Sequence, residues 1–269
     1  MSRQWNKSVL LHIGERQLRA SVKPARAWPW RKAATANNMP VVAADLTQPY
    51  AAPISATLEK LQASGDLREC ALHVSVANSL VHFDVVAGNY AAYSDSQLQM
   101  IAQSCVTEIL GDAAAGQTVR WQLQPDLRHL LLCAVDSALV DAVMQATRQQ
   151  NMHLVSLQPA FCLQWNRYAG KLASGNGVFT VLESGRSLIA CAQRGSIMAL
   201  SYGSSNLPAT ADADPSQGGR TLDRRVDRLL ASLGQPARQM LDFVLLSGEP
   251  LTWQPSKRWT LCGHPEKTQ

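Results

Sequence analysis

The chain has 269 residues, of which 46% are hydrophobic and 17% charged, so it can bury the core of one large domain or of two ordinary ones. Its six cysteines form no CxxC pair and most stand in apolar strings, which indicates buried free thiols in a reducing cytoplasm and gives no clustered zinc site. No apolar run approaches the roughly 18 residues that cross a bilayer, and the start lacks a cleavage site, so we expect neither a membrane helix nor a signal peptide.

The net charge of +5 is concentrated near the start of the chain. Residues 1–32 hold eight basic residues and one acid, which gives +7 and leaves −2 for the rest. Within this stretch, Trp28 and Trp30 stand beside Arg31 and Lys32. Three interpretations stay open: a solvated loop, a surface for a membrane or a membrane protein, and a nucleic-acid site, for which no binding motif is present.

Alternating and helical patterns of apolar residues predict the elements of the first half of the chain. In chain order they are strands at 9–13, 17–22 and 40–45, a short helix at 55–64, strands at 71–77 and 80–87, a helix at 95–110, strands at 119–123 and 130–135, a helix after residue 136, a strand at 153–157 and a helix at 159–168. The first two strands are joined by a tight turn at Gly14. We expect the strands at 71–77 and 80–87 to pair with each other.

Two helices of this half have clear sequence signals at their ends. The helix at 95–110 is preceded by Ser94, a predicted N-cap, and followed by Gly111. Asp136 is the predicted N-cap of the next helix. The residues of that helix expected to face inward are Leu139, Val140, Val143 and Met144.

The second half begins after a polar, glycine-rich stretch, KLASGN at 171–176, which predicts a domain boundary. Its predicted elements are strands at 178–182, 187–192 and 197–202, a loop at 203–219, a helix at 221–233, a strand at 242–246 and an ordered stretch at 259–261. The predicted outer face of the helix carries Arg224, Arg225 and Arg228. This row is either a solvated face or a docking site for an acidic partner. Both halves open with tightly turned strands, so we predict an α/β protein of two related lobes.

Three stretches carry a resemblance to a known superfold. Residues 9–22, VLLHIGERQLRASV, stand where the actin, Hsp70 and sugar-kinase superfold opens with a strand, an Asp-x-Gly-Ser/Thr turn and a second strand. Residues 130–165 are similar to its strand, helix, strand, helix run. Residues 177–203 and 243–249 resemble its second hairpin and its Leu-Ser-Gly-Gly strand end. Within the superfold, this order most resembles the PilM family of type IV pilus assembly proteins, whose relatives include MshI and the cytoplasmic part of the type II secretion L protein.

The resemblance implies a two-lobed actin-like (RNase H-like) α/β fold. The first lobe would be residues 1–170, with an inserted strand-helix subdomain, and the second lobe residues 171–269. The second lobe would be reduced, because residues 203–219 leave no room for a large insertion.

The resemblance also implies the position of a nucleotide site. In such sites the backbone amides of two opposed hairpin turns hold phosphates, an acid from each turn holds Mg²⁺, and a glycine pair admits the adenosine. The vestigial residues of this site are His12, Gly14 and Glu15 in the first turn, Glu183, Ser184 and Gly185 in the second, and Ser247, Gly248 and Glu249 at the later strand end.

Three departures from the superfold's pattern make this predicted site degenerate. His12 stands in place of the first acid, and Leu182 in place of the second, with Glu183 one residue away. Glu249 replaces the second glycine. Because one lost electrostatic contact costs a transition state about 3 kcal/mol, we expect no catalytic residues, no bound metal, weak or absent ATP binding and no useful hydrolysis.

The function implied by the resemblance is that of a non-enzymatic scaffold, a pseudo-ATPase, in the cytoplasm at the inner membrane. Its implied partner is the cytoplasmic tail of a PilN-like single-pass protein, held in a groove of the first lobe. The assembly ATPase is a further implied partner, a homodimer is left open, and nucleic acid is not expected. The candidate tail-binding residues are Leu98, Ile101, Leu139 and Val143, and the candidate membrane or partner surface consists of Trp28, Trp30, Arg31 and Lys32.

Two other classes of protein stay open on the sequence alone. One is a divergent actin-like ATPase or small-molecule kinase that uses Glu183 and Glu15 in place of the usual acids. The other is a binding protein unrelated to pili.

Overall fold

The computed structural model describes residues 7–24, 41–65, 67, 69–172, 175–183, 186–204, 215–233, 242–247 and 255–262. The elements in chain order are β1 (Lys7–Ile13), β2 (Gln17–Pro24), β3 (Val41–Asp45), α1 (Ala51–Ala63), β4 (Ala71–Val76), β5 (Val81–Ala87), α2 (Asp95–Leu110), β6 (Gln117–Leu123), β7 (His129–Asp136), α3 (Ser137–Gln149), β8 (His153–Pro159), α4 (Ala160–Tyr168), β9 (Gly177–Glu183), β10 (Arg186–Gln193), β11 (Ser196–Ser204), α5 (Pro215–Ser232), β12 (Asp242–Ser247) and β13 (Thr260–Cys262). Short 3₁₀ turns lie at Asn78–Leu80, Gly111–Gly116 and Ala169–Lys171. No helix in these ranges has both the length and the apolar composition that crossing a membrane requires.

The chain divides into two compact units. Unit 1 comprises Met1–Val81, Ala115–Thr118 and Val135–Ala160, and unit 2 comprises His82–Ala114, Val119–Ala134 and Phe161–Gln269. Unit 2 thus includes two segments from the first half of the chain, His82–Ala114 and Val119–Ala134.

Unit 1 is built on a five-stranded sheet in the order β3-β2-β1-β4-β8. The strands β1, β2 and β3 form an antiparallel meander, whereas β4 and β8 continue the sheet in parallel with β1. Side chains alternate between the two faces of a strand. In β1, Val9, Leu11 and Ile13 are therefore buried, and His12 lies on the opposite, half-buried face. Helix α1 packs against β2, β3 and α3, and α3 packs against β8.

Unit 2 contains a second five-stranded sheet, in the order β11-β10-β9-β12-β13. Both faces of its central strand β9 are buried, so β9 is apolar along nearly its whole length. On one face, Val178 and Leu182 join a core formed with α5. On the other face, Phe179 packs edge-on against Phe161 and Trp165 of α4.

Unit 2 also contains a three-stranded sheet, in the order β5-β7-β6, which packs against α2. Helix α2 has the predicted bounds. Ser94 and Gln97 form a reciprocal capping box at its start, and Gly111 ends it with a φ of 57°. Leu98, Ala102 and Val106 of α2 form the core of this layer together with residues of β6 and β7.

The predicted pairing of residues 71–77 with residues 80–87 is wrong. The strand β4 lies between β1 and β8, whereas β5 pairs with β7 in the small sheet. The 3₁₀ turn at Asn78–Leu80 separates the two strands, so the chain moves from one sheet to another there instead of folding back as a hairpin.

Three smaller predictions also need correction. Pro159 ends β8 and does not begin the following helix. Met144 is 39% exposed on the outer side of α3, although Leu139 and Val143 are buried as expected. Helix α5 begins at Pro215, a residue whose fixed φ suits a first helical turn, and not at residue 221.

Candidate functional site

The first predicted turn lies between β1 and β2. The amide of Gly14 donates a hydrogen bond to the carbonyl oxygen of Gln17 over 2.8 Å and closes the turn. A Cβ at position 14 would lie 2.9 Å from the same oxygen, so the turn requires glycine for this close approach. Glu15 is exposed at the tip. Within this turn, the Gly14 amide is thus already bound to backbone.

His12 occupies the position where the resemblance expects an acid. Its Nδ1 lies 3.4 Å from the Oγ of Ser75 on the neighbouring strand β4. Burial lowers the pKa of His12, and the positive charge of Arg19, its cross-strand neighbour on β2, lowers it further. The imidazole is therefore neutral at pH 7. A hard cation such as Mg²⁺ prefers negatively charged oxygen ligands, and His12 supplies none.

The second predicted turn connects β9 to β10. Glu183 and Arg186 are the register partners that flank it, and Ser184 and Gly185 lie outside the described residues. Leu182, aligned with the second acid, is 5% exposed and belongs to the core beneath α5. Glu183 is half-buried on the opposite face of β9. A carboxylate at this turn could therefore come from Glu183 but not from the aligned position.

The third predicted site segment begins at Ser247, the last residue of β12. Ser247 is the register partner of Leu182, and Leu182 is the partner of Ser187 on β10. Ser187 in turn is the partner of Gly203 on β11. These four residues form one row across the sheet at the end where the second turn lies. Gly248 and Glu249 lie outside the described part of the chain.

Arg225 of α5 reaches this row, which the sequence did not predict. Its guanidinium donates to the Oγ of Ser187, to the Oγ of Ser201 over 3.3 Å and to the carbonyl oxygen of Gly203 over 3.4 Å. A Cβ at position 203 would lie only 3.4 Å from Nη2, so the glycine leaves room for this approach. Burial, followed by repulsion from Arg228, lowers the pKa of Arg225.

The expected outer, solvated face of α5 is thus wrong for Arg225, which is half-buried against the sheet, although Arg224 and Arg228 are exposed. The available signal was the small residues Ser187, Ser201 and Gly203, which interrupt apolar strands on the side that faces the helix. The arrangement places a fixed positive charge one residue row from the second turn, where the resemblance expects an acid and a metal ion.

The four candidate tail-binding residues lie in two different units. Leu98 is 2% exposed, Leu139 1% and Val143 0%, and each belongs to the core of its own unit, while Ile101 is partly buried beside Leu98. A partner cannot contact the three buried side chains directly. Their role in binding is therefore limited to holding neighbouring exposed residues in place. The candidate surface of Trp28, Trp30, Arg31 and Lys32 lies outside the described residues.

No family model and no curated protein matches this sequence. Solved structures do match the fold. One, a PilM–PilN type IV pilus biogenesis complex, aligns with a TM-score of 0.55 and 13% identity over 91% of this chain and 82% of the other. A protein of actin-like ATPase fold and unknown function from Bacteroides thetaiotaomicron aligns with a TM-score of 0.53 and 8% identity over 93% of this chain and 84% of the other.

A third similar structure is the cytoplasmic domain of EpsL, an inner membrane component of the type II secretion system of Vibrio cholerae. It aligns with a TM-score of 0.50 and 12% identity over 96% of this chain and 90% of the other. At these identities the likeness concerns the fold alone. Together with the sheets and helices described above, it confirms the predicted fold class: this chain has the actin-like α/β fold.

Proposed function

We propose that this chain is a non-enzymatic cytoplasmic scaffold, peripheral to the inner membrane, of a type IV pilus or type II secretion-like assembly. Its partner in this proposal is the cytoplasmic tail of a PilN-like single-pass protein. The observation that carries the proposal is the likeness to the PilM–PilN complex over 91% of this chain. The likeness to the EpsL cytoplasmic domain supports the same class of machine. Contacts with the assembly ATPase and a homodimer belong to the proposal, whereas nucleic acid does not.

The residues of the candidate site support the non-enzymatic part of the proposal. A neutral His12 and a core Leu182 stand where two magnesium-binding acids are expected. Arg225 brings a positive charge to the same end of the sheet that carries Ser247, and this charge disfavours a cation there. We therefore expect neither bound Mg²⁺ nor hydrolysis of ATP.

Calorimetric titration of the full chain with Mg-ATP tests this expectation. We expect no binding tighter than about 1 mM, for the parent and for Glu183→Ala and Glu15→Ala alike. The alternative, a divergent ATPase or small-molecule kinase, requires both glutamates. Micromolar affinity that either substitution abolishes would establish that alternative and overturn the scaffold proposal.

The partner is tested with a labelled peptide. The peptide carries the cytoplasmic tail of a single-pass membrane protein encoded next to this chain, and its binding is followed by fluorescence anisotropy. We expect a dissociation constant of about 1–10 μM and at least about tenfold weaker binding of a scrambled peptide. Equal binding of both peptides would contradict the assigned partner without affecting the nucleotide result.

A further inference from the structure

A row of three arginines runs along the exposed side of α5. Arg220, Arg224 and Arg228 are all exposed and stand four residues apart, so they project from one side of the helix over about 12 Å. We call these three residues the arginine row. Arg225 lies beside the row, close enough to Arg228 for the two charges to repel each other.

The two acidic residues of α5, Asp223 and Asp227, accept hydrogen bonds from the segment before β13. Asp223 Oδ1 accepts hydrogen bonds from Arg258 Nε over 2.8 Å and from Trp259 Nε1 over 2.8 Å. Asp227 Oδ1 accepts from Arg258 Nη1 over 3.0 Å. Within the described parts of the chain, no ion pair engages the arginine row. Arg258 thus engages both acids, and the four arginines of α5 together with Arg258 outnumber these two acids, so the helix surface keeps a net positive charge.

The chemistry of the surrounding surface favours a protein partner over a lipid surface. A helix that lies on a membrane inserts an apolar face between the lipids. The apolar face of α5, formed by Leu222, Val226 and Leu230, is already buried against the sheet of unit 2. None of the large exposed apolar side chains in the described part of the chain belongs to α5.

We propose that the arginine row binds an acidic segment of a partner protein, with carboxylates spaced about one helical turn apart. The argument rests on charge complementarity, because three exposed positive charges along one side of a helix match three negative charges at the same spacing. This proposal does not depend on the tail binding of the proposed function.

The test uses a labelled helical peptide with three glutamates at four-residue spacing, and the same peptide with glutamines in their place. Binding to the full chain is measured by fluorescence anisotropy at about 50 mM and about 300 mM salt, because salt screens such pairs. At low salt, we expect the glutamate peptide to bind at least about tenfold more tightly than the glutamine peptide. The triple variant Arg220→Gln, Arg224→Gln, Arg228→Gln should remove about tenfold of that affinity, since each exposed pair contributes modestly and three act together.

The matched control removes the same charge elsewhere, with Arg120→Gln, Arg128→Gln and Arg148→Gln, three exposed arginines outside α5. It should leave binding within about twofold, and circular dichroism checks that both variants are folded. An equal loss in both triple variants would overturn the proposal, as would the absence of a preference for glutamate. Tighter row-dependent binding to phosphatidylglycerol vesicles or to a DNA duplex than to the peptide would also overturn it.

Discussion

Gly177 illustrates how far a single residue position can constrain this fold. It opens β9, where the strand lies next to the first residue of β12. A Cβ at this position would lie 2.1 Å from the carbonyl oxygen of Asp242 and 2.9 Å from Leu172 Cδ2. Backbone on one side and a core side chain on the other leave no space for even one methyl group.

We therefore expect Gly177→Ala to lower the free energy of unfolding by about 2 kcal/mol or more, as overpacking against backbone does. Urea denaturation followed by circular dichroism measures the loss. The matched control is Gly116→Ala, since a Cβ at position 116 meets nothing within 4 Å. That variant should stay within about 0.5 kcal/mol of the parent. A loss of equal size at both positions would contradict the close approach of β9 and β12.

His12 predicts a pH dependence of stability. Because its pKa is lower in the folded chain than the ordinary value of 6.5, the unfolded chain binds the proton more readily. The contribution of His12 to stability is therefore present above about pH 6.5 and is lost as the pH falls below that value toward its lower folded pKa. The charged form is opposed by burial first and by Arg19 second.

We expect His12→Asn, which cannot titrate, to lose less stability than the parent between pH 7.5 and pH 5.5. Urea midpoints at the two pH values measure the difference. His82→Asn, a change in the small sheet of unit 2, serves as the control. If His12→Asn follows the same pH slope as the parent, the half-buried His12 of β1 is not the source of the pH dependence.

At the residue scale, the sequence predicted the turn at Gly14 but not the position of Arg225. The turn at Gly14 and the missing acid at His12 were readable, because strand alternation fixes which residues end β1. The position of Arg225 could not be predicted in this way. A helical pattern separates an inner from an outer face, but it does not show that a side chain between the two faces reaches the sheet. Only the small residues opposite it, such as Gly203, carried that information.

At the scale of elements, periodicity predicted most strands and helices within a few residues. Periodicity did not predict which strands pair, because the sequence pattern of an apolar strand such as β5 is the same whichever sheet the strand joins. The two strands on either side of Asn78–Leu80 resemble a hairpin in sequence, yet each has its neighbours elsewhere. Long-range pairing depends on complementary surfaces that no single window of sequence contains.

The segment before β13 is attached to α5 through Arg258. This side chain bridges Asp223 and Asp227, and its guanidinium lies 4.8 Å from the ring centre of Phe243. Because 27% of the side chain is exposed, solvent weakens these ion pairs. We expect Arg258→Ala to destabilise the chain by about 1 kcal/mol, measured as a shift of the urea midpoint.

The neighbouring Lys257 supplies the control for that change. It is exposed, and its truncation to alanine should alter stability by less than about 0.5 kcal/mol. If Lys257→Ala and Arg258→Ala behave alike, the bridge between α5 and the segment before β13 does not contribute as the geometry suggests.

At the scale of the whole molecule, the buried thiol of Cys191 and the half-buried thiol of Cys162 report on the sheet of unit 2. Cys191 lies in the core on one face of this sheet, and Cys162 packs against the core on the other. Burial raises the pKa of each to about 12, so both react slowly with alkylating reagents at pH 8 while the chain is folded.

We expect both thiols to become reactive at the same urea concentration, because losing the shared sheet opens both cores together. Pulsed alkylation with iodoacetamide, followed by mass spectrometry, gives the midpoint for each cysteine. Labelling of Cys162 at clearly lower urea would show that α4 detaches first and that the two faces do not unfold as one cooperative unit.

The central place of β9 also has a consequence for synthesis. Its antiparallel neighbour β10 follows at once in the chain, but its parallel neighbour β12 is translated only after β11 and α5. A nascent polypeptide on the ribosome therefore carries the β9–β11 meander with one apolar edge unpaired until Asp242–Ser247 has emerged. During that interval the edge is open to chaperones and to the neighbouring chains of a polysome.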